Sequence, residues 1–436
     1  MPMDTKASER LTSFRRLLDH ARDRLRLDLG FRLWDGSLVP SDWPQDAPAI
    51  AIADENVVAA LLRAPKAETL ANLWVAERID ILNGSIFDLV ARRPSVRTNE
   101  IRRTLDRRLA LTTGLKFLFL PRGGPWPLEE IATEKEGGDK RRNKENVSYH
   151  YDVSNEFYAL FLDSRMVYTC GYATRWDAGL DEMQEAKLDH ICRKLRLKPG
   201  DRLLDIGCGW GALCIHAAQH YGVHAHGVSL SEEQVAYARQ KVCALGLESL
   251  VTIEIGDYRH VTGKYDKVSS VGMQEHLGFD QYDAYYETVR RVLKKGGLYF
   301  HQAITRPAKR RTKLLKRQNP EFRLLTKYIF PGGELDNIGS TVQSLEKHGF
   351  EVHDVEDLRE HYARTCRHWH DRLLARYPEA VALVGAPKTR LWLAYLAACS
   401  IAFERNTVCL YQTVASRRRR GSSGLPPTRE DLYSTT

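Results

Sequence analysis

The stretch LLDIGCGWGALCIHAAQHYGVHAHGVSLSEEQ, beginning at Leu203, leaves few folds open. An apolar strand runs into Gly207, Gly209 and Gly211, then a helix, then a second strand ending near Val228. That order opens a nucleotide-binding βαβ unit, in which glycines let the backbone come close to a ligand. Such units usually end the second strand with a carboxylate that holds ribose hydroxyls. Here the position is Ser229.

The surroundings extend the pattern. From about 147 to 305, helical VSNEFYALFLD and DEMQEAKLDHICRKLRL precede the first strand. Helix EEQVAYARQKVCALG, strands VTIEIGD and YDKVSSVG, helix YDAYYETVRRVL and strand GGLYFHQAI follow. Repeated crossovers predict an α/β fold with a mostly parallel, doubly wound, Rossmann-like sheet, to which the later helices are additions. Residues 1–120 alternate short strand-like and helical pieces and predict a small α+β domain. Residues 121–146, rich in Gly, Pro and charge, read as an exposed linker. The catalytic domain is expected over 147–415, and 416–436 as a basic, disordered tail.

Composition sets limits. A 436-residue chain with 43% hydrophobic and 28% charged residues is long enough for two or three domains with a real core. Its net charge of +9 favours an anionic partner without choosing between nucleic acid and a membrane surface. Eight cysteines without CxxC pairs argue against a structural zinc site or a disulfide framework and suit a reducing cytoplasm. The charged N-terminus lacks the apolar core of a signal peptide. The longest apolar run, LWLAYLAACSIAF from Leu391, is too short to cross a bilayer.

A glycine-rich turn alone does not separate dinucleotide dehydrogenases from methyltransferases. Three features favour S-adenosylmethionine. The loop reads DIGCGWG, with Asp205 at the strand end; KKGGLYF follows the fourth strand; and IGDYRH places Asp257 where an acid can accept from the adenine amino group. Either aspartate alone is more simply read as a helix cap.

The motifs HYDVSNEFYALFLDSRMVYTCGYA, DIGCGWGALCIHAA, GVSLSEEQ, QEHLG, KYIFPGG and HYARTCRHW, in this order, resemble the cyclopropane-fatty-acyl-phospholipid synthases and mycolic acid cyclopropane synthases. These are S-adenosylmethionine-dependent class I methyltransferases, in which Ser or Thr followed by Gln replaces the usual acid, as with Ser229 and Gln234 here. The resemblance implies cofactor contacts at Tyr168, Thr169, Asp205, Gly207, Cys208, Gly209, Ser229, Gln234, Asp257 and Tyr258. It also implies a role in lipid engagement for the first domain, through ANLWVAERIDILNGSIFDLV, although Ala76, Glu77 and Arg78 depart from the usual run.

The reaction implied is attack by a cis alkene of a phospholipid acyl chain on the sulfonium methyl, followed by proton loss to close a cyclopropane. The family holds a bicarbonate ion as the base. Carried over, that site falls on Cys170, Glu275, Gln302, Ile304 and Tyr328, with Tyr149, Tyr151, Tyr168 and Tyr328 facing the cation. Cys399 matches a cysteine once regarded as catalytic, yet its apolar helix favours packing, and Cys170 read alone is a small buried hydrophobe. Gln302 stands where the better-known synthases carry His, and His301, one residue earlier, points to the opposite face of the strand. That departure leaves methyl- or methylene-branched products open.

The run RPAKRRTKLLKRQNPEFR, from Arg306, suits an anionic phospholipid surface better than nucleic acid, because no base-stacking module accompanies it. The expected location is the cytoplasm, at the inner face of the membrane, with a homodimer allowed for. A non-lipid C-methyltransferase and a non-catalytic lipid-binding protein remain as alternatives.

Overall fold

The computed structural model describes residues 5–92, 106–128, 154–308 and 335–433. The chain divides into two compact units. Residues 1–138 and Gly385–Ala397 belong to the first, and most of the remainder to the second.

In the first unit, α1 (Thr5–Leu25), α2 (Asn56–Arg63), α3 (Ala67–Val75), α4 (Ile86–Ala91) and α5 (Arg107–Phe117) accompany β1 (Gly30–Arg32), β2 (Leu38–Val39), β3 (Ala49–Ile52) and β4 (Ile79–Leu82). The sheet order is β2-β1-β3-β4, with only β1 and β3 parallel. Phe14, Leu33, Val39, Val57, Leu73 and Phe117 close its core. Ser85 and Asp88 form a reciprocal capping box that starts α4. This is the α+β domain expected from the sequence, with two differences at its edges. Leu128 is fully buried and its N–H donates to Asn72 Oδ1 at 2.9 Å, so the start of the expected linker is packed. Arg390, far along the chain, also belongs here. Its guanidinium lies 3.9 Å from the Trp74 ring and its Nε donates to the Trp74 carbonyl at 2.7 Å.

The second unit carries a seven-stranded sheet. Its strands are β5 (Arg202–Ile206), β6 (His224–Ser229), β7 (Val251–Ile255), β8 (Tyr265–Val271), β9 (Leu293–Thr305), β10 (Phe350–Asp357) and β11 (Cys409–Arg417). The order is β10-β11-β9-β8-β5-β6-β7; only β11 runs antiparallel to its neighbours. Helices α6 (Asn155–Ala159), α7 (Leu180–Lys194), α8 (Ala212–Tyr221), α9 (Glu232–Ala244), α10 (Tyr282–Val292), α11 (Ile338–Lys347), α12 (Arg359–Ala375) and α13 (Tyr377–Val384) complete it, while α14 (Ala386–Glu404) starts in the first unit and ends in the second.

Alternation along β9 divides the core. Leu298 and Phe300 join Leu188, Ile191, Leu213 and Val242 on one face. Tyr299 joins Tyr285, Tyr286, Val289 and Phe350 on the other. Strand order reverses at β5, whose neighbours are β6 and β8, and in such sheets ligands bind beyond the carboxyl ends at this point.

The expected disordered tail differs as well. Beyond β11, Leu432 is buried, Arg429 pairs with Asp354 at 3.1 Å and Arg196 with Asp431 at 2.9 Å. A buried leucine flanked by two cross-chain ion pairs is enough to order this stretch.

Candidate active site

The turn after β5 is held by its own backbone. Gly207 and Cys208 donate to the Val228 carbonyl at 2.9 and 3.1 Å, tying the loop to the end of β6. Gly207, Gly209 and Gly211 all have positive φ, at 78°, 54° and 81°, a region that favours glycine. A side chain on Gly211 would meet Ala238 of α9 at 3.0 Å, whereas one on Gly209 would meet nothing within 4 Å. The loop is thus packed from behind and open in front, as a ligand cradle requires.

Ser229 and Gln234 are both buried, and the serine hydroxyl donates to Gln234 Oε1 at 3.1 Å. Two neutral groups, one donating and one bifunctional, stand where an acid would otherwise accept from ribose hydroxyls. Asp257 begins a short 3-10 turn and accepts from the Arg259 N–H at 2.9 Å and its Nε at 3.0 Å. Burial pushes this carboxyl up, but the paired guanidinium outweighs it and holds it below the usual range. Tyr258 is buried edge-on against Tyr285, and burial raises its phenol to about 12.

Asp205 lies in β5 just before the glycine turn. It is buried beneath the loop, where Oδ1 accepts from Ser269 at 2.7 Å and Oδ2 lies 4.0 Å from the Cys214 thiol. Burial raises it to about 6, against the pull of Ser269 and Lys187. Its visible role is to brace the loop.

Tyr168, Thr169 and Cys170 pass over the end of β8, where a side chain on Gly272 would meet the Thr169 methyl at 3.3 Å. Buried Lys187 donates to the Thr169 hydroxyl at 3.1 Å, and Gln184 to the Thr169 carbonyl at 2.7 Å. Gly171 N–H donates to Thr365 Oγ1 at 3.0 Å, which fixes the following turn on α12. The Cys170 thiol is fully buried and burial pushes its pKa well up, so it is a packed thiol rather than a nucleophile.

Glu275 sits in a 3-10 turn after β8, 4% exposed. Its Oε1 accepts from the Ile304 N–H at 2.6 Å, and no hydrogen-bond partner of Oε2 is found among the described residues. Burial raises this carboxyl to about 7 although the Ile304 and Glu275 N–H groups oppose it. Gln302 and Ile304 share one face of β9. His301 lies on the other, bonded to Tyr299 at 3.0 Å among the α10 tyrosines and held by burial at about 3.

One wall is aromatic. Trp210 meets Tyr158 at 5.1 Å, Tyr158 meets Tyr168 at 5.3 Å, Tyr168 meets Trp369 at 5.0 Å, and Tyr362 meets Phe403 at 4.6 Å. Tyr362 was missed by sequence reasoning. It lies within electrostatic reach of Cys170, Tyr168 and Glu275, and burial pushes its phenol well above the usual range. The motif HYARTCRHW contains it, but nothing local distinguishes this tyrosine from a helical core residue. Cys399 lies half-buried on α14, within reach of the Cys366 thiol. Tyr149, Tyr151, Tyr328 and most of the basic run after Arg306 lie outside the described residues.

These residues fit the groups implied by the sequence. The open loop and neutral Ser229–Gln234 pair suit a nucleoside, and the rings suit a sulfonium. A buried carboxylate oxygen with no donor among the described residues suits a hydroxyl-bearing anion such as hydrogencarbonate.

A family model described as mycolic acid cyclopropane synthetase matches residues 138–413. A probable fatty acid methyltransferase of Pseudomonas putida is 37% identical over 425 residues, 95% of this chain and 99% of its own. The cyclopropane-fatty-acyl-phospholipid synthase of Escherichia coli K12 is 39% identical over 268 residues, 62% of this chain and 66% of its own. Among solved structures, the cyclopropane synthase MmaA2 from Mycobacterium tuberculosis superposes with a TM-score of 0.60 at 29% identity, covering 64% of this chain and all of that one. Mycolic acid cyclopropane synthase CmaA1, complexed with SAH and CTAB, gives 0.58 at 32% identity with the same coverage. With the family model spanning well over half of its length, the chain belongs to the mycolic acid cyclopropane synthetase family of S-adenosylmethionine-dependent methyltransferases.

Proposed function

We propose that the protein adds a one-carbon unit from S-adenosylmethionine to the cis double bond of a phospholipid acyl chain, giving a cyclopropane. The observation that carries this reading is the buried Glu275 carboxyl, whose Oε2 has no hydrogen-bond partner among the described residues and which lies within electrostatic reach of Tyr362. Bound cofactor supplies an electrophilic methyl on sulfur, and bound hydrogencarbonate a weakly nucleophilic base. The chain supplies the rest. The loop at 207–211, Ser229, Gln234 and Asp257 fix the nucleoside, and Tyr168 and Thr169 border the reacting end.

An alkene is a weak nucleophile, so the walls must align it with the methyl group and keep water out. Tyr158, Tyr168, Tyr362 and Trp369 face the positive charge that develops on the acyl chain without forming a bond to it. Glu275 fixes the base through Oε2 while its Oε1 stays on the Ile304 N–H. One carbon–carbon bond replaces the sulfur–methyl bond, a second closes the ring, and one proton leaves to the base.

A second reading follows from Gln302, which cannot carry the charge of the histidine found in the better-known synthases. Loss of a different proton would leave a methyl or methylene branch. Mass spectrometry of lipids from cells expressing the protein separates the two. Gain of one methylene unit with loss of unsaturation is expected, and gain with retained unsaturation favours the branch. No transfer from labelled cofactor to any lipid overturns both.

A further inference from the structure

Gln302 belongs to a buried chain of side chains that runs away from the reaction cavity. It pairs directly with Gln412 across β9 and β11, and both are at most 1% exposed. Gln412 Nε2 donates to Gln302 Oε1 at 2.9 Å. Behind them, the fully buried Lys194 of α7 donates from Nζ to Gln412 Oε1 at 2.9 Å and pairs with Glu356 and, at 3.7 Å, Asp354. Glu356 is held in turn by His190 at 2.9 Å and by the Tyr172 hydroxyl at 3.3 Å.

This sequence has a direction. An ammonium group can only donate, so Gln412 must turn its Oε1 to Lys194. Its Nε2 then faces Gln302, which must answer with Oε1. A primary amide has nearly the same shape either way round, and nothing in its own outline selects one orientation. Reversing Gln412 would set its NH2 against the ammonium. Reversing Gln302 alone would set two NH2 groups against each other. Each reversal loses a buried hydrogen bond and leaves donors facing donors. The accepting end of Gln302 is therefore committed to Gln412, and its NH2 is the end that can serve another partner. Two residues further along the same strand face, the Ile304 N–H holds Glu275.

We propose that Lys194 and Gln412 are positioning residues that lock the Gln302 amide with its NH2 toward the reaction cavity, presenting an uncharged donor to an oxyanion held at Glu275. The oxyanion rests on the function proposed above; the polarity of the amide does not. The lock also answers what a histidine-to-glutamine departure requires: a glutamine replaces a donor reliably only where something outside it fixes which end donates.

The test uses the full-length protein loaded with S-adenosylhomocysteine or S-adenosylmethionine. Gln412→Glu keeps size and a partner for Lys194 but offers Gln302 only an acceptor, so the amide must turn its NH2 away from the cavity. Cofactor affinity by calorimetry should stay within about twofold of wild type, since no nucleoside contact changes. The rise in melting temperature produced by hydrogencarbonate should disappear, and kcat should fall by about tenfold or more with KM for cofactor little changed. Gln412→Leu, which frees the amide without reversing it, should lose less. In a Gln302→Leu background, Gln412→Glu should cause no further loss of either response, which a merely structural role would not produce. Wild-type hydrogencarbonate response and kcat in Gln412→Glu, or full additivity with Gln302→Leu, overturn the lock. A wild type that turns over lipid but ignores hydrogencarbonate overturns the oxyanion reading, and kcat coupling alone then decides the lock. A wild type with neither response overturns both.

Discussion

Glu275 serves two opposing demands. Under the proposed reaction its carboxyl must be ionised to hold a base, yet burial favours the neutral form and raises it from 4.5 to about 7. The folded protein therefore keeps a proton that the unfolded chain releases between those two values. The contribution of this residue to stability falls as pH rises through that window, and above pH 7 the cost is roughly 3 kcal/mol. Glu275→Gln can keep the Ile304 N–H bond through its oxygen and removes that cost. At pH 8 the variant should melt above the wild type, by about 1–3 kcal/mol in stability, and the gap should close near pH 5. Methyl transfer should be mostly lost while cofactor still binds, and wild-type turnover should fall as pH drops below about 7. A variant that turns over at the wild-type rate refutes the role of Glu275, and one less stable at pH 8 refutes the burial cost. At this scale the sequence was informative only where a motif named the residue: Glu275 in QEHLG could be singled out, but not that one of its oxygens has no donor among the described residues. Tyr362 and Cys170 are 192 positions apart, and Lys194 and Gln412 are 218 apart. Only the folded sheet brings such pairs together.

Elements were more legible than contacts, because periodicity is local and packing is not. The strand–glycine–helix–strand order from Leu203 forces β5, α8 and β6 as they occur, and the alternation in GGLYFHQAI puts Gln302 and His301 on opposite faces of β9. What local pattern could not reveal is that β11 enters between β9 and β10. Its place depends on contacts with distant stretches, such as Gln412 with Gln302 and Arg417 with the Leu293 carbonyl. The signal for Gly227 was equally weak, since it reads as an ordinary strand residue. In the sheet, however, a side chain there would lie 2.9 Å from the Cys208 Cβ and Sγ and from Ile253 Cδ1. Gly227→Ala should push the cradle loop off its seat on Val228, destabilise the fold by about 1–3 kcal/mol and weaken cofactor binding by roughly tenfold. Gly209→Ala meets no atom within 4 Å, so it should cost only the strain of a left-handed alanine, about 1–2 kcal/mol, in the unliganded fold. Thermal unfolding without ligand, set beside calorimetry with it, distinguishes the two. Cofactor binding unchanged in Gly227→Ala would mean that β6 does not need this close approach.

Across the whole molecule, net charge and exposed apolar surface bear on the same partner. The charge of +9 is not spread evenly: the run from Arg306 to Arg323 carries eight Lys and Arg against one Glu. In the first unit, α5 and the turn after it expose Leu111, Leu115, Leu118 and Phe119, the last 89% exposed, while Phe117 on the same helix is fully buried. Arg107, Arg108 and Lys116 of that helix are exposed beside them. Apolar rings set among cations suit a phospholipid surface, where the chains take the leucines and the head groups take the charge. Among the described residues no helix is long and apolar enough to cross a membrane, so attachment of this kind would be interfacial. Each basic residue near an anionic bilayer adds about 1 kcal/mol, and the Debye length shrinks from about 10 Å at 0.1 M salt to 3 Å at 1 M. Vesicles rich in phosphatidylglycerol should therefore sediment the protein at low salt and release most of it at 1 M, and neutral vesicles should bind it weakly at both. Phe119→Asp should weaken binding to anionic vesicles by about tenfold or more, since burying that ring is worth about 1.5–3 kcal/mol, without changing methyl transfer to detergent-dispersed lipid. Binding that ignores both salt and lipid charge would remove the electrostatic half of this account, and a Phe119→Asp variant that binds like wild type would remove the apolar half.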